Sequence, residues 1–173
     1  MQGAIIQLLS FGSILPAKIS ESDYTLVQLP GYKEGFIPTQ CTEKKLDRNT
    51  LVQVAESLIG VPYLWGGKSS FGYDCSGFIQ SVFHSFKILL PRDSSQQIND
   101  DCFIRIDKQS AQKGDLIYYF EGDAVNHVAM LINQNDFIHC SGSVQIQSNV
   151  SSELHFNSTL SSMEKQYFSV EKL

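Results

Sequence analysis

Apolar residues in the central part of the chain recur with helical spacing, and those further on with strand spacing. Leu51, Val54, Ala55, Leu58 and Ile59 fall on one stripe of a helix. That helix is expected to begin near Thr50, with Thr50 and Gln53 as a capping box, and to stop at Gly60 and Pro62. Phe78, Ile79, Val82, Phe83 and Phe86 form a second stripe, on a helix expected to begin at Asp74 or Cys75. Asp74 suits the N-cap, because its carboxylate accepts from the N–H groups of the first turn. From Gly114 the spacing predicts strands over 116–120, 127–132, 137–140 and 144–146, joined by short turn-forming connections. Helices followed by an antiparallel meander define an α+β domain.

The first forty residues read differently. Short apolar runs predict strands over 4–9, 24–29 and 35–38, punctuated by Gly12, Pro16 and the turn Pro30-Gly31-Tyr32. They suggest a small β-barrel or a piece of one, too short for a robust core of its own and so packed on the rest of the chain. Thr42 to Arg48 is polar and charged and reads as a linker. Two units are expected, a β segment over 1–41 and an α+β domain over 48–173.

Composition narrows the function. Hydrophobic residues are 42% and charged residues 18% of the 173, as in a globular core. A formal net charge of -5 without a Lys/Arg stripe argues against a nucleic-acid partner. No apolar run approaches the ~20 residues of a membrane span. Met1 to Leu9 lacks a basic n-region and is not read as a signal peptide. A bacterial cytoplasmic location is expected if the chain is complete, and a cell-envelope location if an export signal lies upstream. Cys41, Cys75, Cys102 and Cys140 are widely and irregularly spaced, with no CxxC, which disfavours a zinc knuckle or a disulfide framework.

The remaining reading is one reactive cysteine with a distant histidine. Cys75 falls in the first turn of the second helix, where unpaired N–H groups and the helix dipole favour thiolate, so its pKa is expected below the free value. Gly77 leaves room for another chain segment. The alternative is a small buried hydrophobe, but polar residues and glycine flank this cysteine. Among the histidines, His84 reads as a boundary residue of the helix and His155 as an exposed residue of a polar tail. His127 opens one expected strand and His139 ends the next, so a short connection makes them neighbours. A thiol, an imidazole and an orienting group are what nucleophilic catalysis needs. Metal binding by Cys75, His127, His139 and Cys140 is disfavoured, because His139 and Cys140 point to opposite faces of a strand.

Six blocks in register resemble the NlpC/p60 family of cell-wall cysteine peptidases. They are Pro62-Tyr63-Leu64-Trp65-Gly66-Gly67, Asp74-Cys75-Ser76-Gly77-Phe78, Pro91-Arg92-Asp93-Ser94-Ser95-Gln96-Gln97, Lys113-Gly114-Asp115-Leu116, Asn126-His127-Val128-Ala129-Met130 and Phe137-Ile138-His139. The resemblance implies a papain-like core with Cys75 as nucleophile, His127 as base and His139 as the residue that orients it. It implies oxyanion or substrate contacts for Tyr63, Asp74 and Ser76, with Asp74 either receiving the free amine of L-alanine or only capping the helix. It leaves Arg92, Ser94 and Gln97 to brace the loop over the site. The implied partners are peptidoglycan stem peptides or muropeptides, cut between γ-D-glutamate and a diamino acid, with no cofactor. Leu8-Leu9-Ser10-Phe11-Gly12 and Gly31 to Pro38 resemble a bacterial SH3 domain. Competing expectations are an amidase or acyl transferase on the same core, and a non-catalytic wall-binding module.

Overall fold

The computed structural model describes residues 7–20, 23–31, 33–42 and 45–170. Three antiparallel strands come first, β1 (Ala17–Ser20), β2 (Tyr24–Gln28) and β3 (Glu34–Pro38), in that order across the sheet. Thr25 and Val27 of β2 are buried, while Tyr24 and Phe36 face solvent. Residues 4–6 of the first expected strand lie outside the described residues, and 7–9 are not strand. Tyr32 of the expected turn and Glu43 and Lys44 of the linker also lie outside them. The N-terminal segment docks on the rest through Ser10 and Phe11. The Phe11 N–H donates to Ser70 Oγ at 2.8 Å, the Ser70 N–H donates to Ser10 Oγ at 2.9 Å, and the Phe11 ring packs on the main core.

Helix α1 spans Arg48–Glu56 and starts earlier than the capping-box pattern predicts. Asp47 is its N-cap, accepting from the Thr50 N–H at 2.9 Å and the Thr50 hydroxyl at 3.1 Å. Thr50 is thus the residue being capped, and the end of the charged linker is already helix. A short hairpin, β4 (Lys68–Ser69) with β5 (Gly72–Tyr73), leads into α2 (Cys75–His84). One turn, α3 (Ser94–Gln97), and strand β6 (Phe103–Ile106) come next.

The meander is β7 (Leu116–Glu121), β8 (Ala124–Leu131), β9 (Asp136–Ser141) and β10 (Ser143–Ser148). A last short helix, α4 (Ser158–Ser162), precedes β11 (Glu164–Val170). The six-stranded antiparallel sheet has the order β10-β9-β8-β7-β11-β6. The meander accounts for four of these strands; β11 inserts between β7 and β6, a pairing of distant segments. One sheet face, with Leu116, Tyr118, Val128, Met130 and Ile138, packs on Phe78, Ile79, Val82 and Phe83 of α2. Each such buried side chain contributes about 1.5–3 kcal/mol. The other face, with Ile117, Tyr119, Ala129, Leu131, Phe137 and Tyr167, is covered by Ala111 and Leu160. Strand β8 begins at Ala124, so His127 lies within the strand rather than opening it. The pairing slips between Tyr119 and Phe120, a bulge beside His127.

Candidate active site

Cys75 is the first residue of α2, and Asp74 is its N-cap. The cap does more than close a helix. Asp74 Oδ1 accepts from the Gly77 N–H at 2.7 Å, and Oδ2 accepts from the Gly66 N–H at 2.9 Å and from the Arg92 guanidinium. Burial opposes ionisation of Asp74, but Arg92 and the two N–H groups outweigh it and hold the carboxyl below its usual range. Arg92 also donates to Ser76 Oγ at 3.0 Å. Gln97, wholly buried, donates to the Ser76 carbonyl at 3.2 Å and the Pro91 carbonyl at 2.9 Å, and accepts from the Tyr118 hydroxyl at 3.3 Å. Arg92 and Gln97 therefore brace the start of α2 itself. Ser94 opens α3.

Glycine at position 77 is dictated by contact. A methyl group there would stand 2.2 Å from the Gly67 carbonyl oxygen, so the 62–67 loop packs directly on the first turn of α2. The Asp74 N–H donates to that same carbonyl at 3.1 Å. Tyr63 of this loop pairs with Tyr73 and donates its N–H to the Gly142 carbonyl at 2.8 Å. Its phenol is pushed up by burial and by the charges of Cys75 and Asp74.

The Cys75 sulfur lies against strand β8, where the Val128 N–H favours its thiolate, as do the N–H groups of Ser76 and Cys75 itself. Burial outweighs all three and pushes the thiol above its ordinary value. The expectation of a depressed pKa is overturned for that reason: the helix terminus acts as expected, but the half-buried sulfur is desolvated and the Asp74 charge opposes a second negative charge beside it. Val128 directly follows His127. The His127 imidazole is 8% exposed and His139 is wholly buried; His127 Nε2 lies 2.7 Å from His139 Nδ1, with the rings nearly perpendicular at 88°. Burial pushes both imidazoles down, His127 to about 3 and His139 to about 4. At neutral pH the resting set is therefore a neutral thiol beside two neutral imidazoles.

The structure thus gathers Cys75, His127, His139, Tyr63, Asp74 and Ser76 around the start of α2 and strands β8 and β9. His84, in the last turn of α2, and the exposed His155, paired with Asp136 at 3.4 Å, lie elsewhere. None of the four cysteines is in a disulfide, and the Cys140 thiol donates to the Tyr73 carbonyl at 3.1 Å. The backbone groups of Gly66, Gly67 and Val128 carry no side-chain signal in a sequence. Gln147 and Asn157, hydrogen-bonded to each other at 2.6 Å near His139, carry no sequence signal, because polar residues on strands and caps are ordinary.

A helix-borne thiol at the Val128 N–H of strand β8, with the hydrogen-bonded pair His127 and His139 on β8 and β9, offers the chemistry of thiol hydrolases. The family model described as NlpC/P60 family matches residues 60–169, more than half of the chain, and the chain belongs to that family. A γ-D-glutamyl-L-lysine dipeptidyl-peptidase of Bacillus cereus is 40% identical over 92 residues, 51% of this chain and 27% of that protein. One from Bacillus subtilis is 33% identical over 138 residues, 76% of this chain and 46% of that protein. The chain thus spans less than half the length of these two relatives. The crystal structure of an NlpC/P60 family protein from Bacillus cereus superposes with a TM-score of 0.72 at 28% identity, covering 88% of this chain and 52% of that one. Among the described residues, no helix is long and apolar enough to cross a membrane.

Proposed function

We propose that this chain is a cysteine peptidase that cuts peptidoglycan stem peptides between γ-D-glutamate and a diamino acid, with Cys75 as nucleophile, His127 as base and His139 as the group that orients it. The observation that carries the proposal is the 2.7 Å contact between His127 Nε2 and His139 Nδ1. That contact occupies one nitrogen of His127 and leaves Nδ1 for the sulfur, whose place is at the adjoining Val128 N–H. The names of the Bacillus relatives support the substrate class. The core is papain-like in this reading, and the three N-terminal strands are part of an SH3-like module. The chain then divides into a β unit over 1–41 and a catalytic unit over 48–173, acting on the wall or on its fragments.

The thiol passes its proton to His127 Nδ1 as sulfur attacks the scissile carbonyl. The oxyanion forms near the Cys75 N–H and the Tyr63 phenol; each donor of this kind lowers the barrier by roughly 3 kcal/mol. His127 returns the proton to the leaving amine, and water, deprotonated in turn by His127, hydrolyses the thioester. Ser76 lines the site beside Arg92. Asp74 serves as cap and loop tie, its oxygens already engaged, and a substrate amine has to share them.

The test is an assay of wild type, Cys75→Ala and His127→Ala on L-Ala-γ-D-Glu-diaminopimelate, with products identified by mass spectrometry. Wild type should release L-Ala-γ-D-Glu as the free acid, and each variant should lose about a thousandfold or more. Full activity in either variant refutes the assignment, and an amide or ester product in place of the acid makes the chain an acyl transferase.

A further inference from the structure

We infer that Gln147 and Asn157 set the protonation pattern of the histidine pair, so that the cap of a short helix fixes which nitrogen of His127 is free to act as base. This rests on the reading of His127 as the base.

The chain of constraints starts at α4. Asn157 is its N-cap, and Asn157 Oδ1 accepts from the Leu160 N–H at 2.8 Å. That bond fixes the orientation of the Asn157 carboxamide, because only its oxygen can accept. Its Nδ2 is then turned to Gln147 Oε1, to which it donates at 2.6 Å. The Gln147 carboxamide is fixed in turn, with its oxygen as the acceptor. Gln147 lies on β10, two residues beyond Gln145, which pairs with His139 on β9. Its side chain favours the protonated form of His139. His139 Nε2 is buried and has no partner at hydrogen-bond distance in the resting chain. An unpartnered N–H or lone pair at such a site costs about 1–3 kcal/mol, and the Gln147 oxygen still has a lone pair to offer.

With the Gln147 oxygen as the acceptor for His139, the His139 proton belongs on Nε2. Nδ1 of His139 is then a lone pair and accepts from His127 Nε2–H across the 2.7 Å contact. His127 Nδ1 is left unprotonated, as a base for the thiol must be. When it takes the thiol proton, the imidazolium keeps the same bond to His139, and no proton moves beyond His127. With the opposite tautomer, His139 would donate from Nδ1 to His127 Nε2, and the His127 proton would sit on Nδ1, where it blocks the reaction. Gln147 and Asn157 act through His139 and are positioning residues.

Three variants of the full chain separate this from simple packing. Gln147→Leu keeps bulk and removes the acceptor. Gln147→Glu keeps an acceptor. Asn157→Asp keeps the helix cap and removes the donor, so that Gln147 turns its amino group toward residue 157 and toward His139. Nitrogen NMR of 15N-histidine-labelled protein reads the tautomer, and the stem-peptide assay separates kcat from KM. Wild type and Gln147→Glu should hold His139 as the Nε2–H form, with kcat within about threefold of each other. Gln147→Leu and Asn157→Asp should shift His139 toward Nδ1–H and lower kcat about tenfold to a hundredfold at unchanged KM. If His139 keeps Nε2–H and kcat is unchanged in both, while His127→Ala is inactive, the tautomer control is wrong and the base assignment stands. An active His127→Ala overturns both.

Discussion

Gly77→Ala sets a local preference against a tertiary contact. Within a helix, alanine is about 1 kcal/mol better than glycine, so propensity alone predicts a more stable protein. The fold opposes it. The new methyl would stand 2.2 Å from the Gly67 carbonyl oxygen and 2.9 Å from Asp74 Oδ1, and the first obstacle is backbone, which cannot rotate away. The loop has to lift by about 1 Å, at the ~1–3 kcal/mol typical of overpacking and more where a hydrogen bond goes with it. Two bonds are at stake, Asp74 N–H to Gly67 and Arg92 to Gly67, together with the placement of Tyr63. After subtracting the propensity gain, a net loss of about 2 kcal/mol is expected. At roughly 2–4 °C per kcal/mol for a chain of this size, Tm should fall by about 4–8 °C. Turnover of the stem peptide should fall further than stability explains, because the displaced loop carries Tyr63, the proposed oxyanion donor. Thermal unfolding by circular dichroism, with the peptide assay run well below Tm, measures both. A Tm equal to or above wild type with unchanged kcat would refute the claim that this loop is built onto the first turn of α2.

Three further outcomes are expected. The half-buried Cys75 thiol is pushed up, so its alkylation by iodoacetamide should keep accelerating about tenfold per pH unit through pH 8, and a plateau below pH 7 would contradict it. Burial pushes His127 to about 3 and His139 to about 4, whereas unfolded histidines take a proton near 6.5. With folded values depressed, the unfolded state gains protons first. Stability is intact above pH 6.5 and falls toward pH 4.5, with a slope of up to about 3 kcal/mol per pH unit while both histidines gain protons only on unfolding; urea midpoints that stay flat over this window would count against it. Arg92→Ala leaves the Asp74 carboxylate without its counter-ion; the pair is buried on the Asp74 side, and a loss of about 2 kcal/mol is expected, with Arg92→Lys failing to restore the contacts to Ser76 and Gly67. Denaturant unfolding of the two variants checks this, and a full rescue by lysine would show that charge alone suffices.

What the sequence made legible was mostly local. The start of α2 at Cys75 followed from one strong cap and one apolar stripe, and both survive in the fold. The start of α1 was misplaced because Thr50 and Gln53 satisfy a capping pattern, whereas Asp47, hidden in a charged run, captures Thr50 first. The meander β7 to β10 was readable from short connections. Strand β11 was not, because Glu164 to Val170 finds its partners Phe120 to Leu116 and Ile106 to Phe103 far back in the chain. The neighbours His127 and His139 could be inferred from strand ends. The state of Cys75 could not, since desolvation depends on everything packed around the sulfur. The same holds for Gln147, whose importance lies in what stands on either side of it.

The most direct measurement is progressive alkylation of the full chain by iodoacetamide, with each cysteine mapped by mass spectrometry and stem-peptide turnover followed in the same samples. Activity should fall in step with modification of Cys75, and labelling of the exposed Cys41 should leave it unaffected. Undiminished turnover by protein fully alkylated at Cys75 would contradict the assignment of that sulfur as the nucleophile.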